Sequence, residues 1–207
     1  MLNHEQIKKL SCFIKYMKIY TKDEFYSNKS KILKDIINGA VFIYPTDTIY
    51  GIGCDARNPE SVNRIYKLKE TREKPFSVIA PSKEWITKNC DVNGHFSKSW
   101  IKKLPGPYTL ILILRNNKCI SENANLGKTT IGVRIPNHWI SEIVKELGFP
   151  LVTTSANKTG KEFMTNLENL DPCIKENVDF IIYEDEKQNR PSSIIDLSRD
   201  NIAISER

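Results

Sequence analysis

The chain has 207 residues, 40% of them apolar, with 31 lysines and arginines against 25 acidic residues and a net charge of +6. That length and apolar content predict one domain with one sizeable core, and the longest unbroken apolar run, Leu110 to Leu114, excludes a membrane helix, which needs about 20 such residues. The positive charge favours phosphates, RNA or acidic partners, although a solubilising surface accounts for it equally.

Residues 1–16 are lysine-rich and weakly patterned, carry no signal-peptide pattern and read as an extension; residues 17–207 read as the catalytic domain of a cytoplasmic protein. Ser30 to Asn38 predicts a helix with Ile32, Leu33, Ile36 and Ile37 on one face, ended by Gly39 and followed by a strand, Ala40 to Tyr44. Asn58-Pro59-Glu60 opens a second helix with an asparagine cap, proline in the first turn and an acid near the positive helix end, running through Val62, Ile65 and Leu68 toward Thr71. Pro75 to Ala80 is the next strand, and Ser82 caps a helix through Trp85 and Ile86. A short helix lies around Trp100. Pro105-Gly106-Pro107 breaks the chain before Tyr108 to Arg115, a strand whose uniform apolarity predicts burial on both faces. Then come a strand Thr129 to Arg134, a helix His138 to Leu147, a strand Leu151 to Thr154, a polar hairpin-like region, and short strands at Phe180 to Tyr183, Ser193 to Leu197 and Ile202 to Ser205. Strands mixed with helices without strict alternation predict an α/β sheet with mixed pairing.

Five cysteines, Cys12, Cys54, Cys90, Cys119 and Cys173, are scattered and never spaced C-x-x-C, so free thiols are expected. The three histidines, His4, His95 and His138, form no ligand pair, which argues against a protein-ligated transition metal.

Two polar stretches carry the functional signal. Pro45-Thr46-Asp47-Thr48-Ile49-Tyr50-Gly51 follows one apolar run, and Thr153-Thr154-Ser155-Ala156-Asn157-Lys158-Thr159-Gly160 follows another about a hundred residues later. Both place hydroxyls, an amide and a glycine at a strand exit, where a packed sheet holds loop groups toward a ligand. Between them lies the basic stretch Lys67-Leu68-Lys69-Glu70-Thr71-Arg72-Glu73-Lys74-Pro75, suited to a polyphosphate. The combination reads as a nucleotide site.

From about Gly39 to Arg207 the sequence resembles the YrdC-like family of threonylcarbamoyl-AMP synthases. The resemblance rests on Tyr44 to Ala56, the Lys69 to Pro75 segment, Pro105-Gly106-Pro107-Tyr108-Thr109-Leu110, Thr130-Ile131-Gly132-Val133-Arg134-Ile135-Pro136, Ser155-Ala156-Asn157 and Ser192-Ser193-Ile194-Ile195-Asp196-Leu197, in that order. It implies an open twisted mixed sheet flanked by helices, with a large basic concave surface. The implied reaction joins L-threonine, bicarbonate and ATP into threonylcarbamoyl-AMP and pyrophosphate, for N6-threonylcarbamoyladenosine in tRNA. A carbamate attacking a phosphate is one anion approaching another, so cations are required: lysine, arginine and Mg²⁺ brought with ATP. A downstream threonylcarbamoyl transferase and tRNA are the implied partners.

By the same resemblance, Ser155, Asn157 and Thr153 contact ATP, Gly132 lets the nucleotide approach the backbone, and Lys74 and Arg207 add nucleotide contacts. Arg134 clamps the threonine carboxylate with its planar fork, with Thr48, Thr130 and Ser192 around the threonine. Lys69 and Arg72 are the catalytic cations. The family pattern is K-x-R, whereas this chain has one residue more between them. On a continuing helix, positions three apart share a face, so both are expected to reach one phosphate cluster and to be solvent-accessible, while Lys67 points elsewhere. The alternative function is an RNA-binding or regulatory module using the same basic surface on tRNA or ribosomal RNA. Clustered aromatic stacking residues, which single-stranded RNA favours, are missing from the sequence.

Overall fold

The structure, a computed structural model, describes residues 17–71, 74–199 and 202–206. The predicted extension, Arg72 and Arg207 therefore lie outside the described residues. The strands are β1 (Lys18–Tyr20), β2 (Phe42–Tyr44), β3 (Gly51–Gly53), β4 (Ser77–Ile79), β5 (Tyr108–Ile113), β6 (Thr130–Arg134), β7 (Leu151–Ser155), β8 (Phe180–Ile182), β9 (Ser193–Asp196) and β10 (Ala203–Ser205). The helices are α1 (Lys22–Ser27), α2 (Lys29–Ile37), α3 (Pro59–Leu68), α4 (Lys83–Asn89), α5 (His95–Lys102), α6 (Glu122–Asn125), α7 (Ile140–Leu147) and α8 (Pro172–Asn177). Among the described residues, none of them is long and apolar enough to cross a membrane.

All the strands join one open sheet in the order β1-β8-β2-β3-β7-β4-β6-β5-β9-β10. Pairing is mixed: β4 lies parallel to β6 and antiparallel to β7, while β3 is antiparallel to both β2 and β7. Alternation along the central strands explains why both faces need cover. Val41 and Ile43 enter one core with Val62, Ile65, Ile86 and Ile174, whereas Phe42 and Tyr44 enter the other with Phe25, Ile32, Ile36, Ile143 and Val144. Helices α1, α2 and α7 thus back one face and α3, α4 and α8 the other.

The caps behave as the sequence predicts: Asn58 Oδ1 accepts from the Glu60 and Ser61 amides, and Ser82 Oγ accepts from Trp85 N. β5 departs from the expected two-sided burial. Its last residue, Ile113, is 41% exposed, because β5 runs past its final pairing with β9 at Ile111↔Asp196.

A second departure matters more. The expected helix through Thr71 stops at Leu68, with Glu70 in the left-handed region at φ 53°. Glu70 N donates to Lys67 O and Thr71 N to Tyr66 O, both at 3.2 Å, the double hydrogen bond that ends helices through a left-handed residue. Glycine is the usual occupant of that position, so a glutamate there gives no warning in the sequence. The continuing helix expected to carry Lys69 onward to Arg72 therefore ends before Lys69.

β3 reads Gly-Ile-Gly for a steric reason. A Cβ on Gly53 would lie 2.5 Å from Val152 O and 2.6 Å from Tyr44 Cε1, and one on Gly51 would lie 3.2 Å from Tyr44 Cζ. The Tyr44 ring covers both glycines and its hydroxyl donates to Val152 O at 3.2 Å. Gly53→Ala is expected to destabilise the fold by about 1–3 kcal/mol through overpacking against backbone, read as a lower urea midpoint with an unchanged m-value.

Candidate functional site

The sheet brings the two polar stretches together. Gly51 pairs with Tyr44 on one side and with Ser155 on the other, so the loop from Pro45 to Tyr50 and the exit of β7 are neighbours in space. Register adds the rest: Ser77 lies opposite Gly132 and opposite Thr153, and Ile79 opposite Arg134. Loop groups from distant parts of the sequence are held at one place by backbone ladders.

A cavity of about 90 Å³ forms there, lined by Thr46, Gly51, Ser77, Thr109, Arg134 and Ser192 among others. At roughly 30 Å³ per liquid water it has room for a small polar molecule. Thr46 Oγ1 donates to Ile49 O at 2.7 Å and lies 3.0 Å from Thr48 Oγ1, and Thr109 Oγ1 lies 2.8 Å from Ser192 Oγ. These hydroxyls are buried and mutually satisfied, which fixes their positions.

Arg134, at the end of β6, is the only charged residue lining this cavity among the described residues and is 6% exposed. Its Nη2 donates to Asp47 Oδ1 at 2.5 Å, and both Nη atoms lie 3.3 Å from Thr48 Oγ1. Burial pushes its pKa down while Asp47 opposes the shift. Among the described residues, its Nε is the one buried side-chain polar atom without a partner. Leaving such a donor unpaired is costly, so this arginine is incompletely satisfied by the protein's own groups.

A second, larger cleft of about 460 Å³ adjoins the first and is lined by Lys69, Lys74, Phe76, Asn157 and Thr159 among others; Thr154 and Ser155 line both. Lys69 caps the C-terminal end of α3, and its Nζ donates to Ser155 O at 2.8 Å, Asn157 O at 2.6 Å and Asn157 Oδ1 at 3.3 Å. It is 6% exposed, which corrects the expected solvent-accessible lysine: the helix stop turns it inward against the β7 exit. All three acceptors are neutral, and burial brings its pKa down to about 8. An ammonium in a cleft wall with no carboxylate in its hydrogen-bond set among the described residues is matched to a ligand that brings negative charge. Lys67 stays exposed on the last turn of α3.

The other expected residues divide by place. Ser155 Oγ donates to Asn157 Oδ1 at 2.5 Å, and Asn157 Nδ2 donates to Lys161 O at 2.6 Å, so the β7 exit loop is held by its own side chains. Thr153, expected beside the nucleotide, lines the smaller cavity instead, together with Ser192. Gly132 opens space between side chains: a Cβ there would lie 2.3 Å from Ser77 Oγ and 3.3 Å from Thr109 Cγ2. Thr130 starts β6, four residues before Arg134, and lines neither cavity. At about 3.3 Å per residue it sits some 13 Å along the strand from Arg134.

Sequence reasoning did not single out Asp47, Thr46, Ser77, Thr109 or Phe163. Asp47, Thr46 and Thr109 stood inside the motifs that carry the family resemblance, so the signal was present. Ser77 and Phe163 reach the cavity only through sheet register and loop folding. The loop after β8 completes the rim: Tyr50 hydroxyl accepts from Glu184 N and donates to Asp185 O, both at 2.9 Å, and Asn189 Nδ2 donates to Asp47 O at 3.1 Å. Burial would raise the Glu184 carboxyl, but hydrogen bonds from Trp139, Lys187 and His138 outweigh it and bring it to about 2, so this anchor is ionised at neutral pH.

Comparison with known proteins agrees with this architecture. The chain is 37% identical over 195 residues to a protein of Methanocaldococcus jannaschii, across 91% of this chain and 90% of that one. It is 29% identical over 182 residues to the threonylcarbamoyl-AMP synthase of Vibrio campbellii, across 84% of this chain and 97% of the relative. The crystal structure of P. abyssi Sua5 complexed with L-threonine superimposes with a TM-score of 0.80 at 24% identity, covering 91% of this chain; this chain spans 56% of that one. The family model Sua5_yciO_yrdC, described as "Telomere recombination", matches residues 34–207, and the chain belongs to that family.

Proposed function

We propose that the protein is an L-threonylcarbamoyladenylate synthase, a nucleotidyltransferase that converts L-threonine, bicarbonate and ATP into threonylcarbamoyl-AMP and pyrophosphate. The observation that carries this reading is the junction of the two cavities: a small one holding a buried, incompletely paired arginine, and a larger one walled by Lys69 and Lys74, with Thr154 and Ser155 between them. The name of the Vibrio campbellii relative supports it. A nucleic-acid-binding module has no use for a buried guanidinium in a small cavity.

In this reading Arg134 binds the threonine carboxylate and the hydroxyl-lined wall receives the rest of the molecule. The neutral amine of threonine joins bicarbonate to give the carbamate with loss of water. A carbamate oxygen then forms a bond to the α-phosphorus of ATP while the bond to pyrophosphate breaks. Lys69, Lys74 and Arg72 offset the negative charge of the triphosphate, with Ser155 and Asn157 beside it and Arg207 as a further nucleotide contact. Thr48 holds the clamp, and Thr130 and Gly132 belong to the strand that carries it. Magnesium enters as Mg·ATP, held chiefly by the triphosphate as Mg²⁺ usually is in nucleotide sites. The chemistry is mainly positioning and charge stabilisation. The product is an activated carbamoyl donor, which suits a cytoplasmic threonylcarbamoyl transferase acting on tRNA.

The test supplies Mg·ATP, bicarbonate and each amino acid in turn. Pyrophosphate release is expected to require threonine and bicarbonate together; equal release with threonine omitted would indicate a plain ATP hydrolase.

A further inference from the structure

We propose that Asp47 is the positioning residue of the amino-acid clamp, holding the Arg134 guanidinium in the orientation that receives a substrate carboxylate. The inference rests on reading Arg134 as the carboxylate-binding group. Asp47 does not line the cavity, whereas Arg134 does, so Asp47 acts through the arginine.

The geometry is that of a fixed support. Oδ1 accepts from Arg134 Nη2 at 2.5 Å, Oδ2 accepts from Asn137 N at 2.8 Å, and the Asp47 carbonyl accepts from Asn189 Nδ2 at 3.1 Å. Three separate segments therefore pin one residue: the end of β6, the turn after it, and the loop after β8. Both carboxylate oxygens are engaged by fixed partners, and the side chains of Asp47 and Arg134 are only 10% and 7% exposed.

The donors of Arg134 divide accordingly. A guanidinium has five N–H groups. The two on Nη2 face Asp47 and Thr48, and one on Nη1 faces Thr48. The Nε hydrogen and one Nη1 hydrogen remain, with Nε buried and unpartnered. Asp47 thus occupies one part of the fork and leaves donors for a second anion. It also supplies the counter-charge that lets a buried arginine persist when no substrate is bound, since an unpaired buried charge is strongly disfavoured. Clamps of this kind work only if the fork is held within about 0.5 Å of its productive position.

Asp47→Asn keeps the shape and removes the charge. The measurements are threonine-dependent pyrophosphate release, Mg·ATP binding by calorimetry and thermal melting. Half-saturating threonine is expected to rise tenfold or more while the Mg·ATP dissociation constant stays within twofold. If Asp47→Asn is too unstable to assay, Asp47→Glu keeps the buried ion pair but displaces the carboxylate by one methylene, and is expected to give the same split. An unchanged half-saturation overturns the proposal. So does a lowered one, which would make Asp47 a competitor that yields to substrate, and so does an equal loss of ATP and threonine affinity, which marks a general packing role. Should the unmutated protein release no threonine-dependent pyrophosphate, the reading of Arg134 fails and takes this proposal with it. Should Arg134→Lys raise half-saturating threonine while Asp47→Asn does not, only the positioning role fails.

Discussion

Arg134→Lys is expected to raise half-saturating threonine about 10- to 100-fold, the equivalent of roughly 1.5–3 kcal/mol for lost charged hydrogen bonds. Lysine keeps a positive charge beside Asp47, so the ion pair and the fold survive. It loses the planar fork, whose Nη groups serve Asp47 and Thr48 while further donors are left for a carboxylate. Binding of Mg·ATP, measured by calorimetry in the absence of threonine, is expected to stay within about threefold of the unmutated protein, because the larger cleft proposed for the nucleotide is walled by other residues. Threonine titrations of pyrophosphate release at saturating ATP check the claim, and an unchanged half-saturation would remove Arg134 from the amino-acid site. Arg134→Met is a harsher change. It leaves the buried Asp47 carboxylate without its partner, which costs about 3–5 kcal/mol in comparable buried pairs, and is expected to lower the melting temperature as well.

Lys69→Ala is expected to reduce turnover by two orders of magnitude or more, with Lys67→Ala near the unmutated rate. The reason differs from simple charge removal. Lys69 ties the Ser155 and Asn157 carbonyls and the Asn157 side chain to the end of α3, so its loss both unpairs buried acceptors and removes a cation from the cleft. A pH profile separates the two effects. Burial brings the Lys69 pKa down to about 8, from an unfolded value of about 10.4. The ammonium is therefore present below pH 8 and is lost as pH rises through it. If a triphosphate needs that charge, Mg·ATP affinity falls above pH 8, by up to about tenfold per pH unit for one coupled proton. In the unliganded protein the sign is opposite: a lowered lysine pKa makes the folded state release its proton first, so stability contributed by this group rises between about pH 8 and 10.4. Calorimetric titration with a non-hydrolysable Mg·ATP analogue at pH 7, 8 and 9 is the measurement. Lys69→Arg stays charged throughout and is expected to flatten the profile; a flat profile in the unmutated protein would move the nucleotide away from Lys69.

Much of the fold was legible because its signals are local. Asn58-Pro59 and Ser82 mark helix starts through side chains that bond amides two or three residues on. The apolar runs at Ala40, Leu110 and Leu151 became strands with neighbours on both sides in the sheet. The short elements β1, α1, β3, α6 and α8 were not predicted, α8 falling where a polar hairpin-like region was expected. β3 contains two glycines and one isoleucine, a composition without strand propensity, and it forms because Tyr44 packs over the glycines and neighbours on both sides supply ladders. The stop at Glu70 was illegible for a related reason: a non-glycine residue in the left-handed region is tolerated when tertiary contacts fix its neighbours, here Thr159 N donating to Lys69 O at 3.1 Å and Lys69 Nζ donating to the Ser155 and Asn157 carbonyls.

The sequence by itself determined the mixed α/β class, most element positions, the two polar motifs and the candidate cations, because periodicity, caps and side-chain chemistry act over a few residues. Only the tertiary structure decided that Gly51 lies between Tyr44 and Ser155, that Asp47 backs Arg134 across 87 residues of sequence, and that Lys69 faces inward. Those facts depend on strand order and register, which are set by the packing of distant segments and leave no mark on any one stretch of chain.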